Sequence, residues 1–205
     1  MTYQQFYSQW HRFACFSTCQ VQAIHPSFNR SNLFHWQQNG YIVMLRRRWY
    51  AFADYLDKPD YARYFANQIC APSYISLHYA LSFYGIIPEA VVEITSITTR
   101  KPQRYSNTFG LYSYQSVRPS FFWGYKPMIM PGGMQYMIAT PEKALLDLLY
   151  LYPQYTTAQD MLELRLDDDF MHTSFSEDVF MDYTKRANSP ALTMRVNKLL
   201  KAYDL

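Results

Sequence analysis

The chain has 205 residues, of which 49% are hydrophobic and 17% charged, and its net charge is only +3. This composition supplies enough apolar side chains for a sizeable core, so it excludes an intrinsically disordered or collagen-like chain. No run of about 18 apolar residues occurs, and no basic and apolar leader follows Met1, so we expect neither a membrane span nor a secretory signal. Three cysteines, with a C-x3-C spacing between the first two, fit neither a disulfide framework nor a zinc ribbon, and we expect a cytoplasmic protein.

The charges are unevenly distributed along the chain. Residues 1–53 contain five arginines and no lysine, aspartate or glutamate, which gives this segment a charge of +5. Residues 149–205 contain six basic and nine acidic residues, for a net charge of −3. A basic segment joined to an acidic one is typical of a nucleic-acid-binding module fused to a second domain. Two differently solvated faces of one protein would give the same distribution.

Two helices are predicted at the start of the chain. Aromatic residues recur at intervals of three and four from Tyr3 to Phe13, which is the helical period and predicts a first helix there. A capping box, in which Ser17 is followed three residues later by Gln20, predicts a second helix over residues 18–24.

A turn at the sequence His-Pro-Ser separates the second helix from a third, because proline disfavours helical geometry in the residue before it. Asn29 is a suitable N-cap and Gly40 suits the left-handed position that ends a helix, so a helix is predicted over residues 30–39. The apolar side of this helix carries Leu33 and Trp36. Its opposite side offers residues that can hydrogen-bond to phosphates or base edges, namely Arg30, Ser31, Asn32, His35 and Gln38.

A β-hairpin with an arginine tip is predicted next. The apolar and aromatic runs YIVML and WYAFA flank three consecutive arginines, Arg46, Arg47 and Arg48. A hairpin directly after a pair of helices, with arginines at its tip, has the geometry of a wing that lies along the DNA backbone or in the minor groove. Residues 1–57 are therefore predicted to form a winged helix-turn-helix domain. The alternative is a domain of three helices and a hairpin that binds only other proteins.

The polar, proline-closed sequence DYLDKP marks a predicted domain boundary, with a second domain over residues 58–205. Dense β-branching predicts a strand in VVEITSITTR, and further strands are expected around Asn107 to Gly110, in FFWGYKPMIM and in MQYMIA. Helices are predicted over residues 61–69, 76–84, 141–152, 158–166, 176–187 and 190–202. The expected fold class is α+β: the winged helix-turn-helix, then a mixed α/β domain with a small, mostly antiparallel sheet and a helical C-terminus.

No motif of an enzyme or of a cofactor site occurs in the chain, so we expect no catalytic residues, cofactor or metal. The carboxylates of residues 167–169 are predicted to lie in a solvated turn, although a nuclease metal site would need such a group. His11, Cys15 and Cys19 step by four residues but are expected to pack in the core. His78 and His172 are expected to be structural. The run Arg100, Lys101 and Arg104 is either a solvated loop or a second basic patch that contacts nucleic acid or an acidic protein.

Three stretches together resemble the AbiEi family of antitoxins from type IV toxin–antitoxin systems. They are FNRSNLFHWQQNGYIVMLRRRWYAF, YISLHYALSFYGIIPEAVVEITSITTRK and ATPEKALLDLLYL, and the resemblance covers residues 13–152. The resemblance implies a regulator that represses its own promoter by binding inverted repeats in double-stranded DNA through the winged helix. It further implies a C-terminal domain that counteracts a nucleotidyltransferase-like toxin, typically without a stable complex.

One feature departs from the family pattern. A small or flexible residue such as glycine is expected at the tip of the wing, whereas this chain has three arginines followed by Trp49. We therefore expect a wider turn or a less mobile wing. The alternative function is a DNA-binding protein with a nuclease-like C-terminal domain, and a third is a module that binds only proteins.

Overall fold

The computed structural model describes residues 1–205 as an α+β fold with ten α-helices and two β-sheets. The helices are α1 (Tyr3–Trp10), α2 (Thr18–Ile24), α3 (Ser31–Gln38), α4 (Tyr61–Ile69), α5 (Leu77–Phe83), α6 (Pro141–Leu151), α7 (Ala158–Leu162), α8 (Asp168–Thr173), α9 (Glu177–Ala187) and α10 (Pro190–Ala202). The strands are β1 (Cys15–Ser17), β2 (Ile42–Arg46), β3 (Trp49–Phe52), β4 (Ser73–Ile75), β5 (Ile94–Thr98), β6 (Gln103–Asn107), β7 (Gly110–Ser116), β8 (Tyr125–Ile129) and β9 (Gln135–Ala139).

The three predicted N-terminal helices are present. The α-helical part of the first ends at Trp10 and continues as a 3-10 turn to Phe13, while α2 spans the predicted residues. The capping box of α2 is confirmed, because the Ser17 hydroxyl accepts from the Gln20 N–H at 3.1 Å and the Gln20 amide oxygen accepts from the Ser17 N–H at 2.7 Å. These reciprocal bonds satisfy donors that a helix start otherwise leaves free.

A three-stranded antiparallel sheet in the order β1-β3-β2 closes the N-terminal segment. Its hairpin was predicted, but β1 was not, because three residues are too few to show an alternating pattern and the strand exists only through its pairing with β3. The core beneath the sheet is aromatic. Phe6 is fully buried and its ring lies 4.8 Å from the rings of both Phe16 and Trp36, centroid to centroid.

The second sheet is larger and more mixed than predicted. It has six strands in the order β6-β7-β5-β4-β9-β8, with three antiparallel pairings and parallel pairings of β5 with β7 and of β4 with β9. The parallel pairings join strands that are distant in sequence, which local patterns do not reveal. Strand β4 was missed for the same reason as β1: it has three residues, all buried.

Helices cover both sides of the sheet centre. On one side the Tyr114 hydroxyl of β7 donates to the carbonyl of Ala66 in α4 at 2.7 Å. On the other side the Tyr74 hydroxyl of β4 donates to the carboxylate of Asp147 in α6 at 3.0 Å. Every residue of β5 is consequently buried, so the alternation seen in its sequence does not separate a core face from a solvent face.

The C-terminal helices pack around α6. Helices α9 and α10 lie close to their predicted spans, but the predicted helix 158–166 ends at Leu162 and the unpredicted α8 follows. Residues 167–169 are exposed, as predicted, but they begin a helix and do not form a turn: Asp167 is the N-cap of α8, and its carboxylate accepts from the Phe170 N–H at 2.7 Å. Acidic residues at a helix start interact favourably with the positive end of its dipole.

The two predicted domains contact each other directly. The Tyr64 hydroxyl of α4 donates to the carbonyl of Phe13 at 3.3 Å, and the Asn107 side-chain amide of β6 donates to the carbonyl of Leu45 in β2 at 2.9 Å. The second contact fixes the hairpin against the edge of the six-stranded sheet. The division at residue 57 stays a prediction.

Candidate nucleic-acid interface

Helix α3 is held by its buried side and by both of its ends. Leu33 and Trp36 are buried. Asn29 lies one residue before the N-cap position, and its side-chain oxygen accepts from the N–H of Ser31 at 3.0 Å. At the other end Gly40 has φ +71°, and the Tyr41 N–H donates to the carbonyl of Trp36 at 2.9 Å. This closes the helix as the sequence predicts.

The outward side of α3 brings together three of the predicted contact residues. Because successive residues are about 100° apart around a helix, Ser31, His35 and Gln38 lie on one stripe opposite Leu33 and Trp36. All three are exposed. This stripe offers a hydroxyl, an imidazole and an amide, which are side chains that hydrogen-bond to base edges or phosphates.

Two other predicted residues of this helix face elsewhere. Arg30 precedes the helix, and its guanidinium donates to the side-chain oxygen of Gln22 in α2 at 2.5 Å. Asn32 is half-buried, and its amide donates to the carbonyl of Met1 at 3.4 Å. Arg30 lies beside the stripe, whereas Asn32 is directed towards the N-terminus of the chain.

Phe34 is a residue of this surface that the sequence interpretation missed. This residue is 63% exposed, whereas the neighbouring aromatic residues Phe28 and Trp36 are buried. It lies on the same stripe, one turn before Gln38 and three residues after Ser31. The helical period places Phe34 near Ser31 and Gln38, but residue type alone does not predict an exposed aromatic side chain.

The hairpin has a tight tip without glycine. Arg47 and Arg48 form a two-residue turn between β2 and β3, and Arg48 adopts φ +69°, the left-handed conformation that glycine usually supplies. The expectation of a wider turn is therefore wrong. Arg47 and Arg48 are exposed, whereas Arg46 is half-buried with its guanidinium carbon 5.5 Å from the centre of the Tyr105 ring.

The predicted second basic patch is divided. Arg100 lies at the end of β5 and lines the same cleft as the three hairpin arginines. Lys101 is exposed beside it. Arg104 lies on β6 with its guanidinium nitrogen 3.6 Å from the carboxylate of Glu93, away from that cleft. Only Arg100 extends the basic surface of the hairpin.

The cysteines and histidines considered as metal ligands do not group into a metal site. Cys15 is buried in β1 and burial raises the pKa of its thiol, whereas Cys19 is exposed on α2, so its predicted core packing is wrong. His11 is not in the core as predicted either: it is half-buried and lies 3.2 Å from the carboxylate of Asp54. Burial lowers the pKa of His78, and His172 lies on α8. No three His, Cys, Asp or Glu side chains are grouped closely enough to hold a metal ion.

The stretch ATPEKALLDLLYL forms α6 and contains a buried charged pair. Thr140 caps the helix and Pro141 takes its first position, as the sequence predicts. Lys143 and Asp147 are both fully buried and form an ion pair one turn apart. The Lys143 ammonium also lies 4.2 Å from the centre of the Phe121 ring. Neither side chain is exposed to solvent, so the surroundings of the pair indicate a structural role.

No protein-family model matches the chain, and neither does any curated protein. The similarity to AbiEi antitoxins therefore depends on the three sequence stretches alone. None of the ten helices combines the length and the apolar character that a membrane crossing requires.

Proposed function

We propose that the protein is a cytoplasmic transcriptional regulator that binds its own promoter, with residues 1–57 as a winged helix-turn-helix domain. Helix α3 is the reading element and the β2–β3 hairpin is the wing. The observation that carries the proposal is the exposed polar stripe of α3 beside an arginine-tipped hairpin, in a chain whose residues 1–53 contain five arginines and no acidic residue. Such a surface attracts phosphates and offers hydrogen-bonding groups to bases.

The order of elements supports this proposal. The chain runs helix, strand, helix, helix and hairpin, with β1 added to the outer side of β3, an arrangement typical of winged helix-turn-helix domains. An α-helix with its side chains is about 10–12 Å in diameter, so α3 fits into a major groove about 12 Å wide. The hairpin arginines would then neutralise backbone phosphates next to the groove.

A binding titration tests the regulator. The purified protein is titrated against its own upstream promoter and against a scrambled duplex, at two salt concentrations. We expect tighter and salt-sensitive binding to the promoter. Arg47→Ala should weaken binding to both duplexes and reduce the slope of log K against log salt by about 0.9, as the loss of one phosphate contact requires.

Helix α3 needs its own variant. Gln38→Ala should reduce the preference for the promoter over the scrambled duplex while leaving the salt slope unchanged. Gln37→Ala is the matched control, because Gln37 is exposed on the same helix but lies to one side of the stripe. Equal losses on both duplexes for Gln38→Ala and Arg47→Ala would contradict the assignment of α3 as the reading helix.

We further propose that residues 58–205 act as the antitoxin domain against a nucleotidyltransferase-like toxin. The resemblance of the second and third stretches to AbiEi antitoxins supports this part. Its test is growth of cells that express such a toxin from the neighbouring gene, with and without this protein. Restored growth by a variant with Arg46, Arg47 and Arg48 all replaced, shown by titration not to bind the promoter, would indicate that the antitoxin activity does not require DNA binding, as expected if residues 58–205 carry it. Unrestored growth with the unaltered full-length protein would refute the proposal.

A further inference from the structure

A basic cleft lies between the hairpin and the six-stranded sheet. It has a volume of about 450 Å³ and is open to solvent. Three of its arginines come from the hairpin, and the fourth, Arg100, comes from the end of β5, far away in sequence. The complete lining is Ser17, Cys19, Arg46, Arg47, Arg48, Trp49, Gln68, Ala71 and Arg100.

The positive charge of this cleft is uncompensated. No acidic residue lines it, and none of its four arginines forms a salt bridge. Other arginines of the chain do have carboxylate partners, as Arg63 has in Asp60 and Arg165 in Glu89. Four guanidinium groups around one open space repel each other, and an anion in that space relieves the repulsion.

One arginine of the cleft also has an unused donor. The Nε atom of Arg46 is buried from solvent and has no hydrogen-bond partner. A buried donor without a partner is unfavourable, so nothing within the protein balances this part of the Arg46 guanidinium. The Tyr105 ring against the Arg46 guanidinium limits the directions that this side chain can take.

The backbone on both sides of the cleft is fixed. On the hairpin side, the Arg48 carbonyl accepts from the N–H of Thr18 at 2.9 Å, which ties the tip to the start of α2. On the sheet side, the Arg100 N–H donates to the Thr98 hydroxyl at 3.2 Å. The Asn107–Leu45 hydrogen bond holds the two sides together. The cleft is therefore formed before any ligand arrives.

We propose that this cleft is a phosphate-binding site to which both segments of the chain contribute. Arginine is suited to phosphate because its planar fork donates two parallel hydrogen bonds to two oxygens. Four arginines suit a ligand with several negative charges better than they suit a ligand with a single carboxylate. The phosphate comes either from the backbone of bound DNA or from a free di- or triphosphate. The site shares the hairpin with the proposed DNA-binding function but does not require α3 to read bases.

The first experiment uses inorganic pyrophosphate with the full-length protein. Thermal unfolding and calorimetric titration are measured at constant ionic strength, with chloride as the comparison anion. We expect pyrophosphate to stabilise the protein, and Arg100→Ala to weaken its binding about tenfold or more, as the loss of a charge-assisted hydrogen bond requires. Arg48→Gly should have a similar effect while keeping the left-handed turn.

Arg104→Ala is the matched control. Arg104 follows Arg100 by four residues and has a side chain that is 76% exposed, but it lies outside the cleft. The Arg104→Ala substitution removes one positive charge from the same region as Arg100→Ala does. A general charge effect would therefore weaken pyrophosphate binding equally in the two variants. Equal weakening would overturn the proposal.

The second experiment identifies the source of the phosphate. The salt slope of promoter binding is compared between the wild type and Arg100→Ala. A slope reduced by about 0.9, with competition between pyrophosphate and DNA, assigns the cleft to the DNA backbone. An unchanged slope with Arg100-dependent pyrophosphate binding assigns it to a free phosphate. If the protein binds no DNA but binds pyrophosphate through Arg100, the proposed function is wrong and the proposed phosphate site is retained. If the binding of neither DNA nor pyrophosphate depends on Arg100, the proposed phosphate site is wrong.

Discussion

The buried pair in α6 gives the sharpest test of how this fold is stabilised. The Lys143 ammonium donates to the Asp147 carboxylate and, at 2.9 Å, to the Tyr74 hydroxyl. Asp147 also accepts from the hydroxyls of Ser76 at 2.7 Å and Tyr74 at 3.0 Å. Burial lowers the pKa of Lys143 and raises the pKa of Asp147, and the attraction between the two groups acts in the opposite direction. Each charge therefore depends on the other.

The perturbation is a double-mutant cycle of Lys143→Met and Asp147→Leu. Each single change leaves one buried charge without its partner and should lower the free energy of unfolding by about 3–5 kcal/mol. The double change removes both charges but leaves the hydroxyls of Tyr74 and Ser76 without their acceptor, at about 1–3 kcal/mol each. We therefore expect the double variant to lose about 2–6 kcal/mol, whereas independent effects would add to about 6–10 kcal/mol.

Urea unfolding followed by circular dichroism measures these differences. The control is the exposed pair Lys185 and Asp182 of α9, whose charged atoms are 3.4 Å apart. Replacing either of these by the same residue types should change the free energy of unfolding by less than about 1 kcal/mol. If both single variants of the buried pair fail to fold while the double variant folds, the coupling is demonstrated directly. A double variant whose loss equals the sum of the two single losses would refute the reasoning.

Three further predictions follow from the buried tyrosines, the hairpin tip and α3. Burial raises the pKa of Tyr84 to about 12 from its ordinary value of 10 and also raises the pKa of the buried Tyr112 and Tyr114, so the folded state holds these protons while the unfolded state releases them. The stability that these tyrosines contribute is complete below about pH 10 and is lost as the pH rises towards 12, by about 1.4 kcal/mol per pH unit for each proton. Urea unfolding at about pH 9 and about pH 11 measures this loss. An equal free energy of unfolding at both pH values would contradict the prediction. Arg48→Gly should raise the midpoint of urea unfolding, because glycine adopts φ +69° without steric strain, and an unchanged or lower midpoint would contradict a strained tip. Phe34→Ala should change the free energy of unfolding by less than about 0.5 kcal/mol, because the ring is exposed. The same change should abolish any preference for thymine over uracil in the bound duplex, since an exposed ring can contact the thymine methyl group. A preference that survives the substitution excludes this contact.

Local sequence signals predicted the elements that depend on local chemistry. The Ser17–Gln20 capping box, the closure of α3 at Gly40 and the Thr140–Pro141 start of α6 are all present as expected. Each relies on residues within one helical turn. Such features are readable because the backbone groups they satisfy belong to the same short segment.

Long-range pairing was not readable in the same way. Strands β1 and β4 have three residues each, and they become strands only because β3 in one case, and β5 and β9 in the other, supply hydrogen-bonding partners. The sequence of β5 predicts a strand, but the burial of the whole strand follows only from the helices that cover both sides of the sheet. The burial of Lys143 and Asp147 was not predicted either, because only the packing of other elements around α6 encloses them.

The same distinction applies to the candidate interface. The sequence by itself determined which residue types are available for it: an N-terminal segment with five arginines and no acid, and a helix with polar residues at helical spacing. The tertiary structure decided which of them share a surface. It separated Asn32 from Ser31, His35 and Gln38, and it brought Arg100 to the hairpin arginines. Residue type and short-range spacing are written in the chain, whereas the meeting of β5 with the hairpin depends on how two sheets pack against each other, which no local pattern encodes.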